Sequence, residues 1–254
     1  MKTKILICTH KECELPNNDY GIFFPIFCGA SLSNDDIMIQ RDDEILDEKC
    51  DNISNKNQNY CELSAIYWTW KNIKKLYPSL QFIGLNHYRR YFLPESMCPI
   101  YHAKILDMSF LKTYVIEASF IENVFNQYQA IVPRFSFFEH NLKTHYCINY
   151  SSIDFNILQK VINEKYPSYE RSFHEVFISN RFLAYNMFVL RWDDFCVYCE
   201  WLFDILFEVE KRVFIQNYDA HQARIFGFMG EYLFTLWVHH NILNPLYLPV
   251  GFFK

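Results

Sequence analysis

The sequence contains no glycine-rich phosphate-binding fingerprint. Neither G-x-G-x-x-G nor G-x-x-x-x-G-K-[S/T] occurs in its 254 residues, and these motifs mark the dinucleotide-binding turn and the P-loop. Zinc-site spacing is missing as well, because Cys196 and Cys199 have no second Cys or His pair to complete a site. We therefore expect none of these three sites, and any phosphate must be held by other means.

Basic charge is also scarce. The chain has 24 Lys and Arg residues against 29 Asp and Glu residues, which gives a formal net charge of -5. Double-stranded nucleic acid is bound by a broad basic surface. We therefore expect no nucleic-acid partner.

Long apolar runs are absent too. No stretch reaches the roughly 20 apolar residues of a membrane span. The apolar run within the opening segment MKTKILICTHKE is too short for a signal peptide. The nine cysteines are an odd number and lie scattered along the chain, which indicates reduced thiols and a cytoplasmic protein. The segment LYLPVGFFK is aromatic and ends in Lys254, so peripheral contact with the inner face of the cytoplasmic membrane stays open.

Short apolar runs alternate with amphipathic segments. Strands are predicted at residues 4–9, 80–85, 130–133 and 182–190, and helices near 59–77, 112–127, 153–165, 193–212 and 222–240. Strands separated by helices favour an α/β fold with a mainly parallel central sheet and helices on both faces. No repeat or linker interrupts the pattern, so we predict a single domain over residues 1–254.

Capping residues predict where two of these helices begin. Asn59 followed by Glu62 fits a capping box, and Asp193 or Asp194 fits the cap of a later helix. The preceding residues, 31–57, are polar and acidic and predict a long loop with one short element. Long ordered loops in compact domains often bind ligands.

Polar side chains follow two predicted strands. Thr9, His10 and Lys11 follow the first strand, and the segment NHYRRYF from Asn86 to Phe92 follows the second. Ligands of open α/β sheets bind at the carboxyl ends of the strands. We therefore expect both segments to contribute to one binding site.

Two interpretations are open for the basic residues of NHYRRYF. Arg89 and Arg90 could bind a pyrophosphate or stabilise a leaving nucleoside diphosphate, or they could form surface ion pairs with the acidic loops. His87 could be a base, a hydrogen-bond donor to a phosphate, or a buried histidine with ordinary hydrogen-bond partners.

The segment DNISNKNQNYCE, residues 51–62, is the densest polar cluster in the chain. It leads onto a predicted helix N-terminus, which favours anions. Turn formation alone could also account for Asn and Ser here. We predict ligand-binding side chains at Asp51, Asn52, Ser54 and Asn57.

Glu231 lies in ARIFGFMGEYLF and is the candidate general base. Flanking glycines let the backbone approach a ligand, and a carboxylate here could take the proton of an acceptor hydroxyl. The alternative is a glutamate at the start of a helix that stabilises the helix dipole. Asn186 interrupts an apolar strand and needs polar partners.

Several longer segments lie in order over nearly the whole chain: THK (9–11), DNISNKN (51–57), CELSAIYWTWKN (61–72), GLNHYRRYF (84–92), YNMFVL (185–190), CEWLFDILFEVEKR (199–212) and RIFGFMGEYLFTLW (224–237). Together they closely resemble the DUF4422 family of bacterial capsule and O-antigen glycosyltransferases.

The resemblance implies a GT-A glycosyltransferase that binds a nucleotide sugar at the strand ends. Members are associated with galactofuranosyl or galactosyl transfer from a uridine diphosphate donor. We therefore expect hexosyl transfer from a UDP-sugar to an oligosaccharide or lipid-linked glycan in surface polysaccharide synthesis, by an inverting displacement.

From these segments and the resemblance together we predict which parts of the chain bind the donor and which bind the acceptor. Residues 1–100 would mainly bind the donor, and residues 101–254 would form the acceptor side and complete the catalytic site. Asn186 would contact the donor sugar. Arg224 and Tyr185 would contact the acceptor or the sugar. Glu231 would act as the base, and His87, Arg89 and Arg90 would be the other catalytic residues.

GT-A enzymes commonly hold a divalent metal through an Asp-x-Asp motif after a central strand. Asn86, His87 and Tyr88 stand at that place here, so we predict no metal ligands and no required cofactor, while a divalent metal stays open. Our hypothesis is that His87 with Arg89 or Arg90 does the metal's electrostatic work.

Two other functions are compatible with the same residues. With water as acceptor, the predicted site would be a hydrolase of sugars or nucleotide sugars. A non-catalytic carbohydrate-binding protein of polysaccharide assembly would use the aromatic residues to stack sugars, but it has no need of adjacent arginines.

Overall fold

The computed structural model describes residues 2–34, 37–46 and 48–254. The strands are β1 Thr3–Thr9, β2 Phe23–Phe27, β3 Gln40–Arg41, β4 Glu44–Ile45, β5 Glu48–Lys49, β6 Phe82–His87, β7 Arg90–Phe92, β8 Ala103–Leu106, β9 Ala130–Pro133, β10 Ser136–Phe137, β11 Arg181–Phe182, β12 Phe188–Arg191, β13 Pro245–Leu248 and β14 Val250–Phe253. The α-helices are α1 Asn57–Tyr60, α2 Leu63–Leu76, α3 Ala118–Val124, α4 Leu142–Asn149, α5 Ser152–Lys165, α6 Glu170–Ile178, α7 Trp192–Glu210 and α8 Ile225–Asn241.

The central sheet has the strand order β13-β9-β12-β6-β1-β2-β3, and β7, β14 and β8 extend it beside β6. β1 runs parallel to β2 and β6, and β9 runs parallel to β13. β12 is antiparallel to both of its neighbours. The predicted α/β fold with a mostly parallel central sheet is confirmed.

The parallel strands β1 and β6 end side by side at one edge of the sheet. β1 pairs with β6 so that Cys8 lies opposite His87, and β1 is buried along its whole length. Apolar residues on both faces explain why the sequence of β1 is a nearly continuous apolar run. The register places Thr9 and His87 at the same end of the sheet.

The helix near residues 59–77 does not begin with the predicted capping box. Asn59 lies inside α1, and its side chain donates to the carbonyl of Ala223 at 2.7 Å. Cys61, with φ 51, separates α1 from α2. Glu62 precedes α2 without capping it through its side chain, so tertiary partners override the local pattern.

Three other predicted elements differ from the structure. The segment at 112–127 is a 3-10 helix, Met108–Thr113, followed by the shorter α3. The strand at 182–190 is divided into β11 and β12 by a turn at Tyr185 and Asn186. Asp193 and Asp194 lie in the first turn of α7, and its N-cap is Arg191.

The polar segment at 31–57 is more structured than a loop with one short element. It contains β3, β4, β5 and the 3-10 helix Ser54–Lys56, while Asp35, Asp36 and Asp47 lie outside the described residues. These pieces are organised around Asp42, whose side chain is fully buried.

The Asp42 carboxylate accepts four hydrogen bonds from distant parts of the chain. The backbone N–H groups of Gly29 and Ala30 donate at 2.8 and 2.9 Å. The hydroxyls of Ser54 and Ser64 donate at 2.5 and 2.6 Å. A buried carboxylate is stable when several donors surround it, so Asp42 ties the segment to α2.

Helix α8 approaches α1 and α2 closely through two glycines. A Cβ at Gly227 would lie 2.8 Å from the Sγ of Cys61, and a Cβ at Gly230 would lie 3.0 Å from a methyl of Leu63. Larger residues at these positions would push α8 outward. The two glycines therefore set how closely α8 and its side chains approach α1 and α2.

We predict that Asp42→Ala lowers the free energy of unfolding by about 2–5 kcal/mol, because four donors lose their acceptor. Urea denaturation measures the change. Asp19→Ala removes an exposed carboxylate and is the control, with a change within about 0.5 kcal/mol. An unfolding midpoint of Asp42→Ala equal to that of the unchanged protein would contradict the role of Asp42.

Candidate active site

A cavity of about 950 Å³ opens where β1 and β6 end. The α1–α2 junction and the start of α8 complete its walls. Among the predicted site residues, it is lined by Thr9, His10, Asn57, His87, Arg89, Arg90, Tyr185, Arg224 and Glu231. Side chains from the two halves of the chain thus meet in one cavity.

Three arginines face this cavity without a carboxylate partner among the described residues. The guanidinium of Arg89 lies 5.2 Å from the ring centre of Tyr88, and that of Arg90 lies 5.1 Å from the ring centre of Tyr185. Arg224 donates from Nε to the Sγ of Cys61 at 3.2 Å. These contacts orient the arginines without neutralising them, which favours an anionic ligand.

Positive charge extends to the end of β1. Burial first, followed by the charges of Lys11, Arg224 and Arg89, lowers the pKa of His10. His10 is therefore neutral at pH 7, since its ordinary pKa is already about 6.5. The arginines and Lys11 remain as the cationic groups on this side of the site.

The turn between β11 and β12 reaches the cavity through Tyr185. Tyr185 and Asn186 both adopt left-handed backbone conformations, with φ of 77 and 50. Its groups are held from several sides: the Tyr185 N–H donates to Glu231 Oε1 at 3.0 Å, and the Asn186 Nδ2 donates to Glu62 Oε1 at 2.7 Å. Backbone strain of this kind is concentrated at functional sites.

His87 holds the same turn from the sheet. Its Nε2 lies 2.6 Å from the carbonyl oxygen of Tyr185. Because a carbonyl only accepts, Nε2 carries the proton. Burial first, and the charge of Arg90, lower the pKa of His87 although Glu62 opposes them. The ring is therefore neutral at pH 7 and adds no positive charge to the site.

Glu231 lies in the second turn of α8, so it is not a residue of the first helical turn. Burial first and the Glu62 carboxylate second raise the pKa of Glu231 to about 8. The Tyr185 N–H, Arg90 and Arg224 act in the opposite direction. A carboxyl group with a pKa near the working pH has the acid-base strength expected of a general base.

Six predicted site residues do not line the cavity: Lys11, Asp51, Asn52, Ser54, Asn86 and Asn186. Asn52 bridges the carbonyl of Cys50 and the N–H of Ser54, and Asp51 accepts from the hydroxyl of Tyr67. Ser54 binds Asp42, and Asn86 is fully buried in β6. Asp51, Asn52 and Ser54 thus bind other parts of the fold, Lys11 is exposed after β1, and Asn186 belongs to the turn between β11 and β12.

The cavity is also lined by Glu62, Gln58, Cys61 and Phe228, which are not among the predicted site residues. Glu62 ends the polar segment 51–62, but its spacing from Asn59 also fits a capping box. Asn59 binds the backbone carbonyl of Ala223 and Glu62 binds the side chain of Asn186, and both partners lie more than 120 residues further along the chain. Local spacing therefore could not identify this role.

Neither a metal cluster nor a membrane span was found in the part of the chain that the structure describes. It contains no group of three or more His, Cys, Asp and Glu side chains that could hold a metal ion. No helix in it has the length and apolar character to cross a membrane.

The fold is shared with a solved structure. The apo structure of WbbM, described as a bifunctional glycosyltransferase, matches with a TM-score of 0.83 at 24% sequence identity. The match covers 100% of this chain and 46% of that chain, so the chain spans about half the length of WbbM. At this identity the likeness shows the fold alone.

Sequence comparison gives the family. No curated protein matches the sequence significantly. A family described as "Domain of unknown function (DUF4422)" matches residues 4–242. Because this match spans nearly the whole chain, the protein belongs to the DUF4422 family.

Proposed function

We propose that this protein is a glycosyltransferase that moves a hexose from a nucleoside diphosphate sugar to a glycan hydroxyl. The observation that carries the proposal is one cavity in which Arg89, Arg90 and Arg224, without carboxylate partners among the described residues, stand near Glu231. Cations suit the leaving diphosphate and a carboxylate suits the acceptor proton. The fold of WbbM, described as a bifunctional glycosyltransferase, supports this reaction class.

The proposed reaction is a single displacement at the anomeric carbon. An acceptor hydroxyl attacks this carbon as the bond to the β-phosphate oxygen breaks, and the bonding electrons leave with the diphosphate. Glu231 takes the hydroxyl proton, while Arg89 and Arg90 stabilise the negative charge on the leaving group. The anomeric configuration inverts.

The two sides of the cavity suggest separate donor and acceptor regions. Thr9, His10 and Asn57 would bind the nucleoside beside Arg89 and Arg90, and the acceptor would lie against Arg224 and Glu231. We accordingly propose a single domain, 1–254, with the donor bound mainly before residue 100 and the acceptor after it.

The finer assignments follow the family resemblance. UDP is the proposed nucleotide, galactose or galactofuranose the proposed sugar, and a lipid-linked capsular or O-antigen glycan the proposed acceptor. The protein would act in the cytoplasm, at the inner face of the membrane, where such an acceptor is presented.

We predict that Arg89→Gln and Arg90→Gln each weaken UDP binding by about 10- to 100-fold, because each removes a charged partner of the diphosphate. Isothermal titration calorimetry with UDP, UMP, ADP and GDP measures the loss and fixes the nucleotide class. UMP, which has no β-phosphate, should be affected less.

The control is Arg171→Gln, which removes an exposed arginine of α6 paired with Glu175. It should bind UDP as the unchanged protein does. Unchanged UDP affinity in both Arg89→Gln and Arg90→Gln would contradict a diphosphate site at these arginines.

We also predict that UDP affinity and sugar transfer survive exhaustive treatment with EDTA, because the arginines take the metal's electrostatic role. Transfer is followed as UDP release from UDP-galactose and UDP-galactofuranose with methyl hexosides as acceptors. Complete loss of activity that only manganese or magnesium restores would refute this proposal.

Glu231→Gln should lower turnover by about 10²- to 10⁴-fold, because the amide cannot accept the acceptor proton. UDP affinity should be retained. Glu122→Gln, at an exposed position of α3, is the matched control. A near-normal rate in Glu231→Gln would exclude Glu231 as the base, and equally fast sugar release without any hexoside would identify a hydrolase.

A further inference from the structure

Glu62 occupies a distinctive place in the cavity wall. It lies between α1 and α2, directly after Cys61, whose φ is 51. Its Oε1 accepts from the Nδ2 of Asn186 at 2.7 Å, and this nitrogen also lies 3.3 Å from the carbonyl of Gly227. The Asn186 side chain therefore connects the α1–α2 junction to α8.

Glu62 and Glu231 hold consecutive residues of one turn. Glu62 binds the side chain of Asn186, and Glu231 accepts the backbone N–H of Tyr185. Left-handed conformations are unfavourable for residues other than glycine and persist when surrounding contacts enforce them. Releasing Asn186 would therefore loosen the N–H that orients Glu231.

We propose that Glu62 is a positioning residue for Glu231, holding Asn186 so that the Tyr185 N–H fixes the direction of the Glu231 carboxylate in the cavity. The proposal rests on the function proposed above for Glu231. Glu62 acts through the turn and touches neither the anomeric carbon nor the proton that moves.

Charge gives Glu62 a second effect on Glu231. The other charged and titratable groups around Glu231 are Arg90 from β7, Arg224 before α8, and Cys61, Tyr150, Tyr185 and Tyr232. After burial, the Glu62 carboxylate is the largest cause that raises the pKa of Glu231. Removing its charge must therefore lower the pKa of Glu231, so that the base ionises at lower pH.

Two substitutions separate position from charge. Glu62→Gln removes the charge but keeps an oxygen that can accept from Asn186. Glu62→Ala removes both the charge and the acceptor. Glu12→Gln, at an exposed position after β1, controls for loss of one negative charge elsewhere.

The first test is a ¹³C NMR titration of the Glu231 carboxyl carbon in the full chain, with Glu231→Gln assigning the signal. The midpoint should be about 8 in the unchanged protein, and lower by about half a pH unit or more in Glu62→Gln. Glu12→Gln should leave it in place. An equal midpoint in Glu62→Gln and the unchanged protein would overturn the coupling between the two carboxyl groups.

The second test is the pH dependence of sugar transfer. Turnover should rise with pH as Glu231 loses its proton, and the rise should begin at lower pH in Glu62→Gln, with a plateau within about tenfold of the original. In Glu62→Ala the turnover at high pH should fall far below this plateau, while the affinity for UDP is retained. Turnover abolished at every pH in Glu62→Gln, with the NMR midpoint unmoved, would instead make Glu62 the base.

The two tests fail separately. The titration needs no activity, so a shifted midpoint in a protein that transfers no sugar would refute the proposed function and leave the coupling of Glu62 to Glu231 in place. Full activity of Glu62→Ala at all pH values would refute the positioning role and leave the proposed function intact.

Discussion

The site depends on the turn at Tyr185 and Asn186. Two adjacent left-handed residues cost on the order of 1–3 kcal/mol each when neither is glycine, and three side chains from separate elements enforce them. His87 donates to the Tyr185 carbonyl, Glu231 accepts its N–H, and Glu62 accepts from the Asn186 side chain. The strain is offset by hydrogen bonds that also fix those three side chains. A single turn thus aligns the sheet edge, the α1–α2 junction and α8.

Charges of both signs share the cavity without pairing. Arg90 and Arg224 favour the ionised form of Glu231, yet burial and Glu62 prevail and raise its pKa to about 8. A direct ion pair would have given the opposite shift and would have neutralised an arginine. Because the carboxylate is held by a backbone N–H instead, the guanidiniums stay available to an anion, while Glu231 keeps the basicity that proton transfer needs.

The apolar core was predictable from the sequence, and the polar connections were not. β1, β9 and α5 follow from apolar runs and periodicity, since burial alone decides them. The capping box at Asn59 and Glu62 fails because both side chains bind residues more than 120 positions away. The position of His10, His87 and Arg90 at or after the ends of predicted strands correctly indicated that they share one cavity. The role of Asp42 could not be predicted in this way, because its four hydrogen-bond donors become neighbours only in the folded chain.

The charges that line the cavity say more about the leaving group of the ligand than about its sugar. A neutral oligosaccharide would leave three guanidiniums facing the cavity without an anion paired to them, whereas a diphosphate supplies one and can be bound in a bidentate manner. The anionic leaving group is therefore the best-supported feature of the proposed substrate. In the proposed assignment the sugar lies between the diphosphate at Arg90 and the base Glu231. Tyr185 contacts both side chains, because its ring centre lies 5.1 Å from the Arg90 guanidinium and its N–H donates to Glu231. In relatives that keep the cavity arginines and the turn but differ around Tyr185, the leaving group should be conserved and the transferred sugar should change.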